Sequence, residues 1–215
     1  MPAGAYSHFH ADGRPYQTEL ARPHDLVTAA GRTIPCAAEH VVLSEAGHLL
    51  SCRLAQPIAI AGIGLQADHG VSFYPGGQLQ AGTISRPLAA LSALFPAGTS
   101  LSWHVDGALA GGWLRTAMEV AGFLIQYDFA VHPTGRLSRF QLSRERTISG
   151  HRFPAGSELW LRSDGSLLRA QYDADSGFLP HGEEWRDIRY LRFDCAGRVT
   201  DSRVEHWQDS IPEPP

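Results

Sequence analysis

The chain contains no lysine: all 18 of its basic residues are arginine. This is read as GC-rich coding, so a bacterial source is expected. No arginine run stands out, the net charge is -4, and the electrostatic footprint of a nucleic-acid binder is missing. The three cysteines, Cys36, Cys52 and Cys195, are an odd number without a CxxC pair. That argues against a disulfide framework and against structural zinc, and leaves small reduced core residues as the expectation. No apolar run reaches the roughly 18 residues of a membrane helix. The start, MPAGAYSHFHADGRPYQ, has neither an apolar stretch nor a basic flank of the kind a signal peptide carries. A cytoplasmic protein without a transmembrane segment is therefore expected. GxGxxG, Walker A, GxSxG and HExxH are all absent, so no dinucleotide, P-loop, hydrolase-elbow or zincin site is indicated, and no cofactor is expected.

Helical periodicity is also scarce. The best helical stretch, Arg115 to Phe129, falls where a repeating unit places a strand. Glycine (22 residues) and proline (14) instead punctuate the whole length, which suits many short strands.

The segments Phe95 to Leu109 and Phe153 to Leu167 agree at eight of fifteen positions, with an offset of 58. Between and around them runs a shorter unit anchored on a turn glycine: Gly13, Gly47, Gly77, Gly107, Gly135, Gly165 and Gly197. Their spacings are 34, 30, 30, 28, 30 and 32. Asp-Gly and Gly-Gly steps provide the positive φ that a tight hairpin turn demands. Four positions before each glycine stand Phe9, Leu43, Phe73, Trp103, Val131, Leu161 and Phe193, all apolar. Apolar columns recur six before (Ser7 the one exception) and seven after, and a mostly apolar column lies twelve before the last six glycines, through Pro35, Leu65, Phe95, Phe123, Phe153 and Trp185. Alternation that stops at a turn and resumes beyond it marks a β-hairpin.

The expected fold is all-β, about seven hairpin repeats over residues 1–208, with a polar, proline-rich tail at 209–215 expected to fray. An antiparallel meander, open or closed into a barrel, is favoured; a β-solenoid is the alternative. Each unit has room for a short third segment, such as TISGHRF before a PAG turn.

The segments Val71 to Ser85 (VSFYPGGQLQAGTIS) and Trp160 to Ala170 (WLRSDGSLLRA) resemble bacterial YwqK-type and MORN-like repeats. Those are hairpins centred on an aromatic-x-x-x-Gly-x-Leu core. The pattern covers Tyr6 to Trp207, with a longer unit and without the repeated Tyr-x-Gly-x-Trp. The resemblance implies a repetitive β fold used for protein or membrane-surface interaction, and it carries no catalytic residues.

Chemistry is sought on the polar columns. Three before the turn glycines lie Tyr74, His104, His132 and Arg162, a stripe that offers acid–base groups near neutral pH if units stack in register. The competing reading is a solvated sheet face. Trp160 sits among apolar-face neighbours but points the other way, which makes it a contact candidate for a ligand or partner. His8 and His10 form an H-x-H with two potential metal ligands. On sheet closure they would meet Arg192 and Asp194, where a carboxylate would orient an imidazole. The pair Glu183-Glu184 beside His181 reads as a solvated turn. Two functions compete: a non-enzymatic binding or scaffolding protein, and a small-molecule lyase, isomerase or cyclase with a His/Tyr/Arg site in a barrel pocket. The partner is correspondingly a protein or a small molecule, and exposed sheet edges make a homodimer possible.

Overall fold

The computed structural model describes residues 8–173 and 185–208. Two compact units divide the chain, Met1–Trp113 and Leu114–Pro215. The first contains β1 (His8–Phe9), β2 (Pro15–Glu19), β3 (His24–Val27), β4 (Thr33–Cys36), β5 (His40–Leu43), β6 (Leu49–Arg53) and β7 (Ile58–Ile60). It continues with β8 (Ile63–Leu65), β9 (Gly70–Phe73), β10 (Leu79–Thr83), β11 (Leu88–Ala90), β12 (Ala93–Phe95) and β13 (Ser100–Trp103). Strand β14 (Leu109–Val120) crosses the boundary. The second unit adds β15 (Phe123–Val131), β16 (Leu137–Leu142), β17 (Arg146–Ile148), β18 (His151–Phe153) and β19 (Glu158–Leu161). It ends with β20 (Leu167–Asp173), β21 (Trp185–Phe193) and β22 (Val199–Gln208). No helix occurs among the described residues, and the Arg115 to Phe129 stretch is two strands joined by a turn at Ala121-Gly122.

The main sheet has the order β1-β2-β5-β6-β9-β10-β13-β14-β15-β16-β19-β20-β21-β22, an antiparallel meander. Its first and last strands, β1 and β22, share no pairing among the described residues, so the sheet is open rather than a barrel. The seven glycines explain the hairpins. Gly77, with φ +83°, donates its N–H to the Tyr74 carbonyl at 2.8 Å, while the Tyr74 N–H reaches the Gln78 carbonyl at 2.9 Å. The ladder shifts register beside each such turn, which is the bulge that a left-handed residue introduces. The aspartate before the glycine closes the turn from its other side: Asp12, Asp106 and Asp164 each accept the N–H two residues on.

In four of the repeats the short third segment proves to be a second hairpin. Pairs β3–β4, β7–β8, β11–β12 and β17–β18 are separate two-stranded ribbons. Three of their turns have consecutive positive-φ residues, Ala61-Gly62, Leu91-Ser92 and Ser149-Gly150, whereas the β3–β4 turn uses Gly31 alone, its N–H donating to the Thr28 carbonyl at 2.9 Å. Ala121-Gly122 does the same between β14 and β15, where the ribbon is fused into two long strands.

Within each unit the core lies between ribbon and sheet strands. In the first unit Leu65 of β8 is fully buried over Gly82 of β10; a Cβ added to that glycine would stand 3.0 Å from Leu65 Cδ2. In the second unit Phe153 of β18 is fully buried, its ring 6.1 Å from Tyr172 and 6.2 Å from Phe193. The repeated FPAG tract follows from this placement. Phenylalanine is the ribbon's core residue. Gly98 and Gly156, at positive φ, donate to the carbonyls of Ile84 and Leu142, both at 2.8 Å. The buried Thr99 and Ser157 hydroxyls donate to the Pro96 and Pro154 carbonyls, each at 2.7 Å.

Two members of the expected core column are displaced. In the second repeat Cys36, not Pro35, is fully buried, because the link from β4 to the next turn is one residue shorter than elsewhere. In the repeat with the 28-residue spacing Ile125, not Phe123, is fully buried, and a bulge with Tyr127 at φ +59° replaces the usual corner turn. Trp185 lies in β21, and the tail at 209–215 lies outside the described residues.

Candidate functional site

The face of the sheet away from the ribbons is where function has room, and the second unit carries the informative side chains there. Thirteen of the 18 arginines follow residue 113. The cross-strand register lines up Ala130, Arg139, Trp160, Arg169, Arg192 and Asp201 as one row across β15, β16, β19, β20, β21 and β22. The adjacent row is Gln126, Gln141, Glu158, Gln171, Tyr190 and Arg203.

Within this patch the guanidinium of Arg169 lies 4.5 Å from the Trp160 ring and 5.3 Å from the Tyr190 ring, and that of Arg203 lies 4.9 Å from Tyr190. Trp160, Arg169, Tyr190 and Arg203 thus form a continuous stack. Each stacking contact contributes about 0.5–1 kcal/mol at an exposed site and holds the guanidinium plane; Arg169 also donates to the Gln171 side-chain oxygen at 3.4 Å. Arg192 is exposed and makes no ion pair or side-chain hydrogen bond among the described residues. Arg139 is different: it pairs with Asp128, and with Glu158 at 3.4 Å, so its charge is matched. Glu158 is held above the usual carboxylate range, chiefly by burial, although the Arg139 charge pulls the other way.

The first unit's corresponding row, Gln17, Val42, Ser51, Ser72, Ala81, Ser102 and Gly111, is mostly small. A shallow trough of about 460 Å³ runs there past Glu39, His40, Arg53 and Ala81. A second cavity of about 340 Å³ lies where ribbon turns meet sheet turns, with Ile60, Leu79 and Trp103 as apolar lining and Arg32 and Asp106 as charged lining.

The column three before the turn glycines has a specific use. The Tyr74 hydroxyl donates to the Trp103 carbonyl at 2.9 Å, and His132 Nε2 reaches the Leu161 carbonyl at 2.9 Å. Arg162 reaches the Phe193 carbonyl at 2.5 Å, and within its own turn that of Leu167 at 2.5 Å. His10 Nε2 lies 3.3 Å from the Leu43 carbonyl. Leu167 apart, each acceptor is the apolar residue four before the next turn glycine. There the strand ladder has already stopped: the last of the three β10–β13 pairs is Ala81↔Ser102, so the Trp103 carbonyl lies beyond the ladder on that side. The side chain from the preceding repeat satisfies it, as buried carbonyls require. His104 occupies the same turn place in its own repeat, its N–H donating to the Ala108 carbonyl at 2.7 Å.

Tyr74 and His104 belong to the first unit, His132 and Arg162 to the second. Trp160 and Arg192 do share one row. Asp194 stands at the last turn instead, accepting the N–H groups of Ala196 and Arg198, both at 2.9 Å, and pairing with the Arg198 side chain at 2.8 Å. Those bonds hold its carboxyl below the ordinary range. His8 is exposed on β1 opposite Gln17, and the His10 ring meets Tyr16 edge-on at 5.1 Å. Among the described residues no group of three or more His, Cys, Asp or Glu side chains is placed to hold a metal ion. His181, Glu183 and Glu184 lie outside the described residues.

Sequence reasoning missed Arg139, Arg169, Tyr190 and Arg203. The available signal was the column four after each turn glycine, which pairs across the hairpin with the column five before it. It reads Gln17, Ser51, Ala81, Gly111, Arg139, Arg169 and Asp201, and the change from small residues to arginine marks the patch. Among the described residues no helix is long and apolar enough to cross a membrane. No protein-family model matches the chain, and no curated protein matches it either.

Proposed function

We propose that the chain is a non-enzymatic binding module whose second unit uses its outer sheet face to take an acidic segment of a partner protein. The observation that carries this reading is the stack of Trp160, Arg169, Tyr190 and Arg203 beside the exposed Arg192. Tryptophan, tyrosine and arginine are the residue types that dominate interface energetics. Guanidinium groups held flat by aromatic rings are set to receive carboxylates in a bidentate manner. The resemblance to MORN-like repeats points the same way. The catalytic reading of the polar column is supported less well, because Tyr74, His132 and Arg162 spend their donors on backbone carbonyls.

A fluorescein-labelled oligoglutamate peptide, titrated against the full chain and followed by anisotropy, tests the proposal. Binding that weakens with added salt and falls at least tenfold in Arg169→Gln/Arg192→Gln is the expected result. No binding, or equal binding by the variant, would refute it. A small-molecule reading has one observation in its favour, the apolar cavity around Trp103. A fragment screen whose hits leave peptide binding untouched but are lost in Leu79→Trp would favour it.

A further inference from the structure

The repeat geometry brings one pair of positions together in two successive repeats of the first unit. In the third repeat Leu65 bridges Ile84, and the residue two before that bridge, Gly82, lies directly under the Leu65 side chain. In the second repeat the equivalent bridge joins Cys36 to Leu54, and the residue two before Leu54 is Cys52. A large residue over a glycine in one repeat is thus replaced by two cysteines in the other. Both thiols are buried, at 0% and 5% exposure, and their sulfurs are 2.6 Å apart. That separation is close to the about 2.05 Å of a covalent S–S bond. The third thiol, Cys195, is exposed and far along the sequence.

We propose that Cys36 and Cys52 are a redox site that closes to a disulfide, tying the ribbon strand β4 to the sheet strand β6. With hydrogen peroxide as the oxidant, one thiol is converted to a sulfenic acid with release of water. The second thiol then attacks that sulfur and expels a second water. Two thiols and one peroxide thus give one disulfide and two waters. Attack by the Cys52 sulfur in the folded chain is disfavoured at neutral pH for two reasons. The hydrogen bond from Cys36 and burial raise the Cys52 thiol well above its ordinary value, and both sulfurs are packed away from solvent. Oxidation therefore proceeds through opening of the β3–β4 ribbon, or during folding before the ribbon docks.

The test uses the full chain with Cys195→Ser, and in parallel the wild-type chain with Cys195 alkylated. Each is exposed to peroxide while folded, and each is also refolded from denaturant in a glutathione redox buffer. The expected outcome is a mass lower by two hydrogens, a cross-linked peptide containing both Cys36 and Cys52 in a non-reducing digest, and a melting temperature that drops on adding dithiothreitol. Neither Cys36→Ser nor Cys52→Ser should show the mass loss. Two thiols that still alkylate after oxidative refolding would overturn the proposal. Oxygen or glutathione adducts without the cross-linked peptide would do the same.

Discussion

Replacing Tyr74 by phenylalanine removes one oxygen atom and leaves the ring in place. That oxygen is the donor that reaches the Trp103 carbonyl at 2.9 Å, across 29 residues of sequence. The carbonyl stands past the last rung of the β10–β13 ladder, so no strand N–H replaces the lost donor. A hydrogen bond of this kind contributes about 0.5–1.5 kcal/mol net, and a carbonyl left without a partner costs about 1–3 kcal/mol. The bond is half-buried, so water recovers part of the loss, and a destabilisation of about 1 kcal/mol is expected. For a chain of 215 residues that corresponds to a fall in Tm of about 2–4 °C. Urea unfolding followed by tryptophan fluorescence should show a lower midpoint with an unchanged slope. A variant as stable as the wild type would mean that water satisfies the Trp103 carbonyl equally well. The Tyr74 hydroxyl would then not be committed to that carbonyl, and the acid–base reading of its column would regain support.

Other substitutions probe other contacts. Phe153→Ala removes a fully buried ring that packs near Tyr172 and Phe193, and should cost about 3–5 kcal/mol, read from urea midpoints; a loss under about 1 kcal/mol would show that the ribbons do not share the sheet's core. Glu158 has its carboxyl raised by burial, so the folded chain holds that proton more tightly than the unfolded chain does. The penalty for ionising it is absent below the unfolded value, near pH 4, and is complete once pH has risen through the folded value. Glu158→Gln should therefore gain stability relative to the wild type on going from about pH 3 to about pH 7, and a difference that stays constant with pH would contradict the burial argument.

The turn glycines were legible because φ near +80° leaves glycine few rivals, and the apolar columns because a strand repeats every two residues. The second hairpins were hidden by their turns. Ala61-Gly62 and Ser149-Gly150 are weak signals, and Leu91-Ser92 is none, since a branched residue rarely takes positive φ. Such corners are held by tertiary contacts instead: Arg86 donates to the Gly62 carbonyl and Arg146 to that of Gly122. The same limit explains why Tyr74 and His132 read as candidate chemistry. A side chain that satisfies a carbonyl 29 residues away follows a rule about where strands part, not about local sequence. Trp160 stood out because it broke an alternation, whereas Arg169 and Tyr190 broke none and became visible only with the register.

The turn links reach one repeat forward and no further, with separations of 33, 29, 29 and 31 residues. Among the described residues none of these turn links counts the repeats. Excising the stretch between two equivalent glycines, such as Gly77 and Gly107, would bring together a donor and a carbonyl of the same kinds that were parted. Length can therefore change by whole hairpins through duplication or loss in the gene, without a new fold being found each time. Each added unit would arrive with an outer row free to diverge, as the change from Ser51 and Ala81 to Arg139 and Arg169 already illustrates.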